Sequence, residues 1–182
     1  MNANKRAVIV AGKLVQDHEF IYPYYRLLEE GYDVDVAVRD KQTVFGSMGV
    51  RIEPTCDISG LQSQPYNLLV IPGGAKAMEY MRQDRELLQF IATFHECGKL
   101  IASICHGAQL LISAGLVRGR RISGYYSIKD DIHNAGGQYV DAPAVVDDRI
   151  VTSPHYKHLG PWMRATITQC QERAGDRSAR RA

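Results

Sequence analysis

The amino-acid sequence predicts an α/β protein, a mostly parallel sheet with helices on both faces. Two observations carry this. Short runs such as Ala7–Ala11, Tyr66–Ile71 and Leu100–Ile104 are apolar at nearly every position, as strands buried on both faces are. Between them lie longer amphipathic segments that end at glycine, and this alternation is the pattern of parallel strands joined by helical crossovers.

The elements follow in order. Ala7–Ala11 reads as a buried strand, and Phe20–Glu30 as a helix with Phe20, Tyr24, Leu27 and Leu28 at helical spacing and Gly31 as its stop. Val34, Val36 and Val38 alternate as a second strand. Residues 43–58 carry β-rich pieces broken by Gly46 and Gly49, the pattern of a hairpin. Tyr66–Ile71 is a strand stopped by Pro72-Gly73-Gly74, and Arg82–Glu96 is a helix with Leu87, Leu88 and Ile91 on one face. Leu100–Ile104 is a strand and Ala108–Ala114 a helix ended by Gly115. Strand pieces at Arg121–Gly124, Ala144–Val146 and Ile150–Thr152, a helix at Ile128–Asn134 and a last helix at Leu159–Gln171 complete the chain. One domain over residues 1–171 is expected, followed by a basic, frayed tail at 172–182.

The 182 residues carry a net charge of +2. All of it resides in residues 172–182, which hold four Arg and two acids; the rest of the chain is balanced. Such a body has no charge surplus for phosphate, so no nucleic-acid partner is expected. No apolar run reaches the ~20 residues of a membrane span, and no membrane partner is expected. The N-terminus runs directly into a strand without a signal-peptide core, so a cytoplasmic location is the default expectation. The four cysteines, Cys56, Cys97, Cys105 and Cys170, have neither C-x-x-C nor zinc-finger spacing, which argues against a metal site. The phosphate-binding glycine motifs are absent as well.

In a parallel sheet, ligands sit beyond the carboxyl ends of the strands. The turns at 12–19, 72–79, 103–107 and 153–158 are therefore the places to look for chemistry. Ser103-Ile104-Cys105-His106-Gly107 stands out. It has a small residue two before and two after a nucleophile, between a buried strand and a helix, as in a nucleophile elbow. The helix N-terminus is expected to lower the thiol pKa. The plainer alternative is a buried cysteine that happens to follow a strand.

Ala102-Ser103-Ile104-Cys105-His106-Gly107-Ala108-Gln109 resembles the elbow of the ThiJ/PfpI family, which includes a Parkinson-associated deglycase, and in particular its PfpI-type peptidase branch. Glu19-Phe20-Ile21-Tyr22-Pro23-Tyr24 with Leu27–Gly31, Ile71-Pro72-Gly73-Gly74, Ile112–Gly115, Ile128–Asp131 and Pro161-Trp162-Met163 extend the resemblance over nearly the whole body. It implies a flavodoxin-like sandwich and a homo-oligomer that works without a cofactor. It also implies roles. Cys105 is the nucleophile. Glu19 approaches the sulfur and must be protonated to do so, since a carboxylate beside a thiolate raises both pKa values. His106 is the proposed base. Gly74 and the backbone N–H of His106 are oxyanion donors, with Gly73 in the same loop, and Tyr125 is a pocket aromatic. Glu79 matches a glutamate supplied across a subunit interface. For each there is a bland alternative: a helix-start acid for Glu19, an outward-facing histidine for His106, turn formers for Gly73 and Gly74, a packed ring for Tyr125, a surface acid for Glu79.

The chain departs from the PfpI peptidases at Ser153-Pro154-His155-Tyr156-Lys157-His158, where His155 or His158 can enter the pocket. Class I glutamine amidotransferases share the elbow but carry a His-x-Glu here; His155 is followed by Tyr156 and Lys157, so that triad lacks its acid. Lys13-Leu14-Val15-Gln16 also replaces an acidic stretch before Glu19. The resulting expectation is a cofactor-free cysteine enzyme acting on a small carbonyl or amide, of glyoxalase/deglycase or amide/peptide hydrolase type, on small-molecule or peptide substrates. The alternatives are a redox-sensing or chaperone-like stress protein read out by Cys105 oxidation, and a specialised biosynthetic hydratase or hydrolase.

Overall fold

The computed structural model describes residues 5–179. The chain runs β1 (Arg6–Val10), α1 (Asp17–Glu29), β2 (Asp33–Val38), β3 (Val44–Phe45), β4 (Arg51–Ile52), β5 (Cys56–Asp57), β6 (Leu68–Ile71), α2 (Ala75–Met81), α3 (Arg85–Glu96), β7 (Leu100–Ile104), α4 (Ala108–Ser113), β8 (Arg121–Ile122), α5 (Lys129–Asn134), β9 (Gln138–Tyr139), β10 (Val145–Asp147), β11 (Ile150–Ser153) and α6 (Leu159–Ala179). Seven strands form the main sheet in the order β10-β11-β7-β6-β1-β2-β5. Every pairing in it is parallel except β10 with β11. Helices α1 and α6 pack together on the sheet, as do α3 and α4. The strand centres are fully buried, Val8, Ile9, Leu69, Val70, Ile101 and Ala102 among them. This is why their sequences are apolar at consecutive positions rather than alternating.

The expected elements are present, with differences at their edges. Residues 43–58 do form a hairpin, Val44 opposite Ile52 and Phe45 opposite Arg51, but Cys56–Asp57 leaves it to pair with β2 at the sheet edge. Residues 75–79, read as part of a turn, belong to α2; Ala75, Lys76, Ala77 and Met78 are strong helix formers, and a seven-residue helix is too short to show a period. The last helix continues past Gln171 to Ala179, aided by Arg173, which donates to the Asp148 carbonyl at 2.8 Å.

Register decides what meets at the carboxyl edge. Ile71 pairs with Ser103, so Gly73 and Cys105 each lie two residues beyond the same rung and emerge side by side. Ser153 pairs with Ile104, which brings residue 155 to the same edge from β11. The chain moves one way along the sheet from β1 to β2 and the other way from β6 to β7 and β11, leaving a crevice at the reversal.

The first turn of α1 is tied to the β3–β4 hairpin by a buried carboxylate. Asp17, 2% exposed, accepts from Met48 N–H at 2.7 Å, Val50 N–H at 2.8 Å and Ser47 Oγ at 3.1 Å. Burial opposes its ionisation, but these hydrogen bonds outweigh it and hold the carboxyl below its usual range. The stability it supplies is therefore full above the unfolded carboxyl value and is lost as pH falls through the folded one. Asp17→Asn turns an NH2 toward backbone donors. It is expected to cost about 1–3 kcal/mol in urea unfolding at pH 7, with a smaller penalty at pH 3.

Candidate active site

Cys105 follows β7 directly and has φ 60°, the left-handed region that a residue with a Cβ enters only under constraint. Gly107 makes the turn possible. A Cβ there would lie 2.7 Å from the Ile71 carbonyl oxygen, 2.8 Å from Ser103 Oγ and 2.9 Å from the Pro72 carbonyl oxygen. The small residues on either side of Cys105 are thus required by contact between the β6 and β7 turns, which is the geometry of a nucleophile elbow.

Glu19, on the first turn of α1, is fully buried. Gln16 caps that helix by accepting from Glu19 N–H at 3.1 Å. The Glu19 carboxyl accepts from Gly73 N–H at 2.8 Å through Oε2, while Oε1 is buried without a hydrogen-bond partner and the Cys105 thiol lies beside the carboxyl. Gly73 is needed for this approach, since a Cβ would sit 2.6 Å from Oε2 and 2.7 Å from Cys105 Cβ. Its N–H is committed to Glu19, so of the two loop glycines it is Gly74 whose N–H points to the Cys105 sulfur.

Burial raises the Glu19 pKa to about 7, against the pull of the Gly73 hydrogen bond and the thiol contact. The thiol does not become more acidic as expected. Burial pushes it up, and a charged Glu19 would push it further; the N–H groups of His106 and Gly74 pull the other way. Two acids in contact in a dry site cannot both ionise. A proton on Glu19 removes its charge from beside the sulfur and gives the orphaned Oε1 a hydrogen to donate.

His106 stands next to Cys105, its Nδ1 3.4 Å from the sulfur. Its Nε2 lies 3.3 Å from Ser127 Oγ, and its ring stacks on Tyr125 with centroids 4.6 Å apart. Burial lowers its pKa, favouring neutral imidazole. The stack continues outward: Tyr125 to His155 at 5.8 Å, His155 to Tyr156 at 4.0 Å, Tyr156 to His18 at 5.4 Å. All of these rings but His18 line a cavity of about 370 Å³ that opens over Cys105, together with Gln16, Ser47 and Lys76.

The structure therefore brings together Cys105, His106, Glu19, Gly73, Gly74, Tyr125 and His155. His158 is outside the cavity lining, because His155 leaves β11 extended over the site and the chain turns only after it, through Tyr156–His158. Nor does His155 form a triad: its Nδ1 accepts from Lys157 N–H at 3.1 Å. Glu79 lies on an exposed face of α2, paired with Lys76 at 2.6 Å, and does not reach His106 within one chain. Sequence reasoning missed Ser127, Lys76 and Tyr156, which nothing local distinguishes from surface residues. All four cysteines are free; Cys56 and Cys170 are half-buried and Cys97 exposed. Among the described residues no three His, Cys, Asp or Glu side chains form a metal ligand set, and no helix is long and apolar enough to cross a membrane.

The fold and the elbow define a flavodoxin-like α/β protein with a buried cysteine at the carboxyl edge of its sheet. Comparison with known proteins narrows the class. The profile of the DJ-1/PfpI family matches residues 5–169, and the chain belongs to that family. It is 41% identical to a deglycase of Pyrococcus horikoshii over 152 residues, 84% of this chain and 91% of the relative. It is 38% identical to deglycase PfpI of Pyrococcus furiosus over the same shares. Among solved structures it is similar to a two-domain protein from Anabaena variabilis with DJ-1/ThiJ/PfpI-like and ferritin-like domains. There the TM-score is 0.88 at 32% identity over 91% of this chain, which spans only 48% of that protein.

The Glu19 shift has a measurable consequence. A carboxyl raised to about 7 stabilises the fold below its unfolded value near 4.5, and that stabilisation is lost as pH rises through 7. Between pH 4.5 and 7.5 the wild type is expected to lose about 3 kcal/mol relative to Glu19→Gln, which keeps a donor and has no proton to lose. Urea unfolding of the two proteins across this range checks it; parallel curves would place an ionised carboxylate at Glu19 throughout.

Proposed function

We propose that this chain is a cysteine-dependent enzyme of the glyoxalase/deglycase type, in which Cys105 adds to the aldehyde of a small 2-oxoaldehyde or its adduct. One observation carries the reading: a strained, buried cysteine meets a buried, protonatable carboxyl and a neutral imidazole at the floor of a small cavity. The names of the two Pyrococcus relatives support the same class. A cavity of about 370 Å³ is near the lower end of ligand pockets, which favours a small carbonyl over a long peptide.

The proposed steps use groups already in place. The thiol proton passes to His106 Nδ1 as sulfur bonds to the aldehyde carbon. The carbonyl electron pair moves to oxygen, where the N–H groups of Gly74 and His106 stabilise it, and the His106 imidazolium returns its proton there, giving the hemithioacetal and a neutral imidazole. Loss of the C–H proton to neutral His106 and its return at the adjacent carbon, with the hydroxyl proton passing to the neighbouring oxygen, yields a thioester. Water cleaves the thioester to a 2-hydroxy acid and the free thiol. The reading calls on no cofactor and includes assembly as a homo-oligomer.

The test is a substrate panel of glyoxals, peptides and small amides, run on wild type and Cys105→Ala. Turnover of glyoxals is expected to fall by at least about a thousandfold in Cys105→Ala with cooperative unfolding retained. Turnover within twofold of wild type ends the catalytic reading, and exclusive turnover of peptides or amides replaces it with hydrolysis.

The ring wall makes a second prediction. His155→Ala removes one stacking face, worth about 0.5–1.5 kcal/mol for an aromatic pair. KM for phenylglyoxal is expected to rise roughly two- to tenfold relative to that for methylglyoxal, while the alkylation rate of Cys105 is unchanged. Equal effects on both substrates would remove His155 from substrate contact.

A further inference from the structure

The amino-end edge of the sheet, opposite Cys105, holds a buried histidine that the proposed chemistry does not use. His95 lies in the last turn of α3, just before β7. It is 6% exposed, and among the described residues its Nε2 is buried without a hydrogen-bond partner. It faces Asp148 and Arg149, the two-residue turn of the β10–β11 hairpin, where Asp148 has φ 50°. Asp148 Oδ2 lies 3.9 Å from Nε2, too far for a hydrogen bond, and the same oxygen is already paired with Arg149 Nη2 at 2.9 Å.

Protonation would put a cation into this seat. Burial opposes that most, and the guanidinium groups of Arg120 and Arg149 add to it. The carboxylates of Asp148 and Glu96 favour the charge, as does the carboxyl end of α3. The opposition prevails, so the ring holds a proton less readily than a free imidazole. The other ties of the hairpin are of a different kind. Arg173 Nη2 donates to the Asp148 carbonyl at 2.8 Å, Arg121 N–H to Asp147 Oδ2 at 3.0 Å, and Ile101 N–H to the Arg149 carbonyl at 2.9 Å. Arg120 Nη1 lies 3.9 Å from Asp147 Oδ1. Of the groups facing the turn, His95 is the one whose ordinary value falls between pH 5 and 8. The hairpin is also placed to open by itself, since β10 ends the sheet and pairs with β11 alone.

We propose that His95 is an acid-release point for the β10–β11 hairpin. Uncharged, it packs the turn against the end of α3; on taking one proton from water it gives up that seat, and the hairpin loosens from the sheet edge. The sign follows from linkage. A base held below its ordinary value of 6.5 supplies stability that is full above that value and is lost as pH falls below it. An opened hairpin returns His95 to its ordinary value, so opening gains up to about tenfold at pH 5.5 over pH 7.5. The strand released, β11, is the one that leads to His155 in the cavity wall. The inference does not depend on the chemistry at Cys105.

The test uses the full chain and needs no substrate. Amide hydrogen exchange of the segment 144–153 is followed by mass spectrometry at pH 7.5 and 5.5, corrected for the intrinsic pH dependence of exchange, in wild type and His95→Gln. An NMR titration of the His95 ring in wild type gives its proton affinity without any substitution. Wild-type protection of the hairpin is expected to fall about five- to tenfold at pH 5.5, while β1 at the sheet centre shows no such loss. In His95→Gln, which has no proton to take, hairpin protection should be the same at both pH values. The His95 ring should titrate below 6.5. A ring that titrates at or above 6.5, wild-type protection that is equal at both pH values, an equal loss in His95→Gln, or a matching loss in β1 would each overturn the proposal.

Discussion

The structure depends on one buried carboxyl. Glu19 fixes the end of β6 through Gly73 N–H and touches Cys105 at the end of β7, while belonging to the helix that follows β1. Three consecutive strands of the sheet, β1, β6 and β7, are therefore linked at their carboxyl edge by a single side chain. The linkage tolerates no extra atom at Gly73. Its burial also raises its pKa to about 7, so that below that pH the carboxyl keeps a proton beside the sulfur.

Strain at Cys105 and crowding at Gly107 are parts of the same device. The backbone at φ 60° turns the chain sharply enough for β7 to deliver its next residue over the crevice rather than along the strand axis. Residues in such conformations persist only where their surroundings over-determine them. Here the β6 turn supplies that constraint, through the Ile71 and Pro72 carbonyls on Gly107 and through Gly73 against Cys105. Asp17 does similar work at the rim, tying the β3–β4 hairpin to the start of α1, so that Ser47 and Gln16 face the ring wall across the cavity.

The ring wall gives the site its own character. Stacked rings run from His106 through Tyr125, His155 and Tyr156 to His18. They come from four separate parts of the chain and converge because β11 lies beside β7 in register. A wall of this kind offers flat apolar faces with polar edges.

Much of this was legible in the sequence, and for a physical reason. Strand burial, helix periodicity, glycine stops and the spacing around Cys105 are local properties, written within a few residues of where they act. They set the α/β class, the elbow, and through family resemblance the pairing of Glu19 with Cys105. Periods shorter than two turns carry no such signal, so the seven-residue α2 has the look of a turn, and the polar stretch after Gln171 has no apolar period to mark the end of α6. What only the tertiary structure decided is non-local. The Gly73 N–H is spent on Glu19, the thiol is made less acidic by burial, His155 enters the cavity while His158 does not, and Ser127 stands at the far edge of His106. Each depends on strand register and on which backbone groups are already paired. A lone serine or a second histidine has the same local sequence signal whether it faces solvent or another ring.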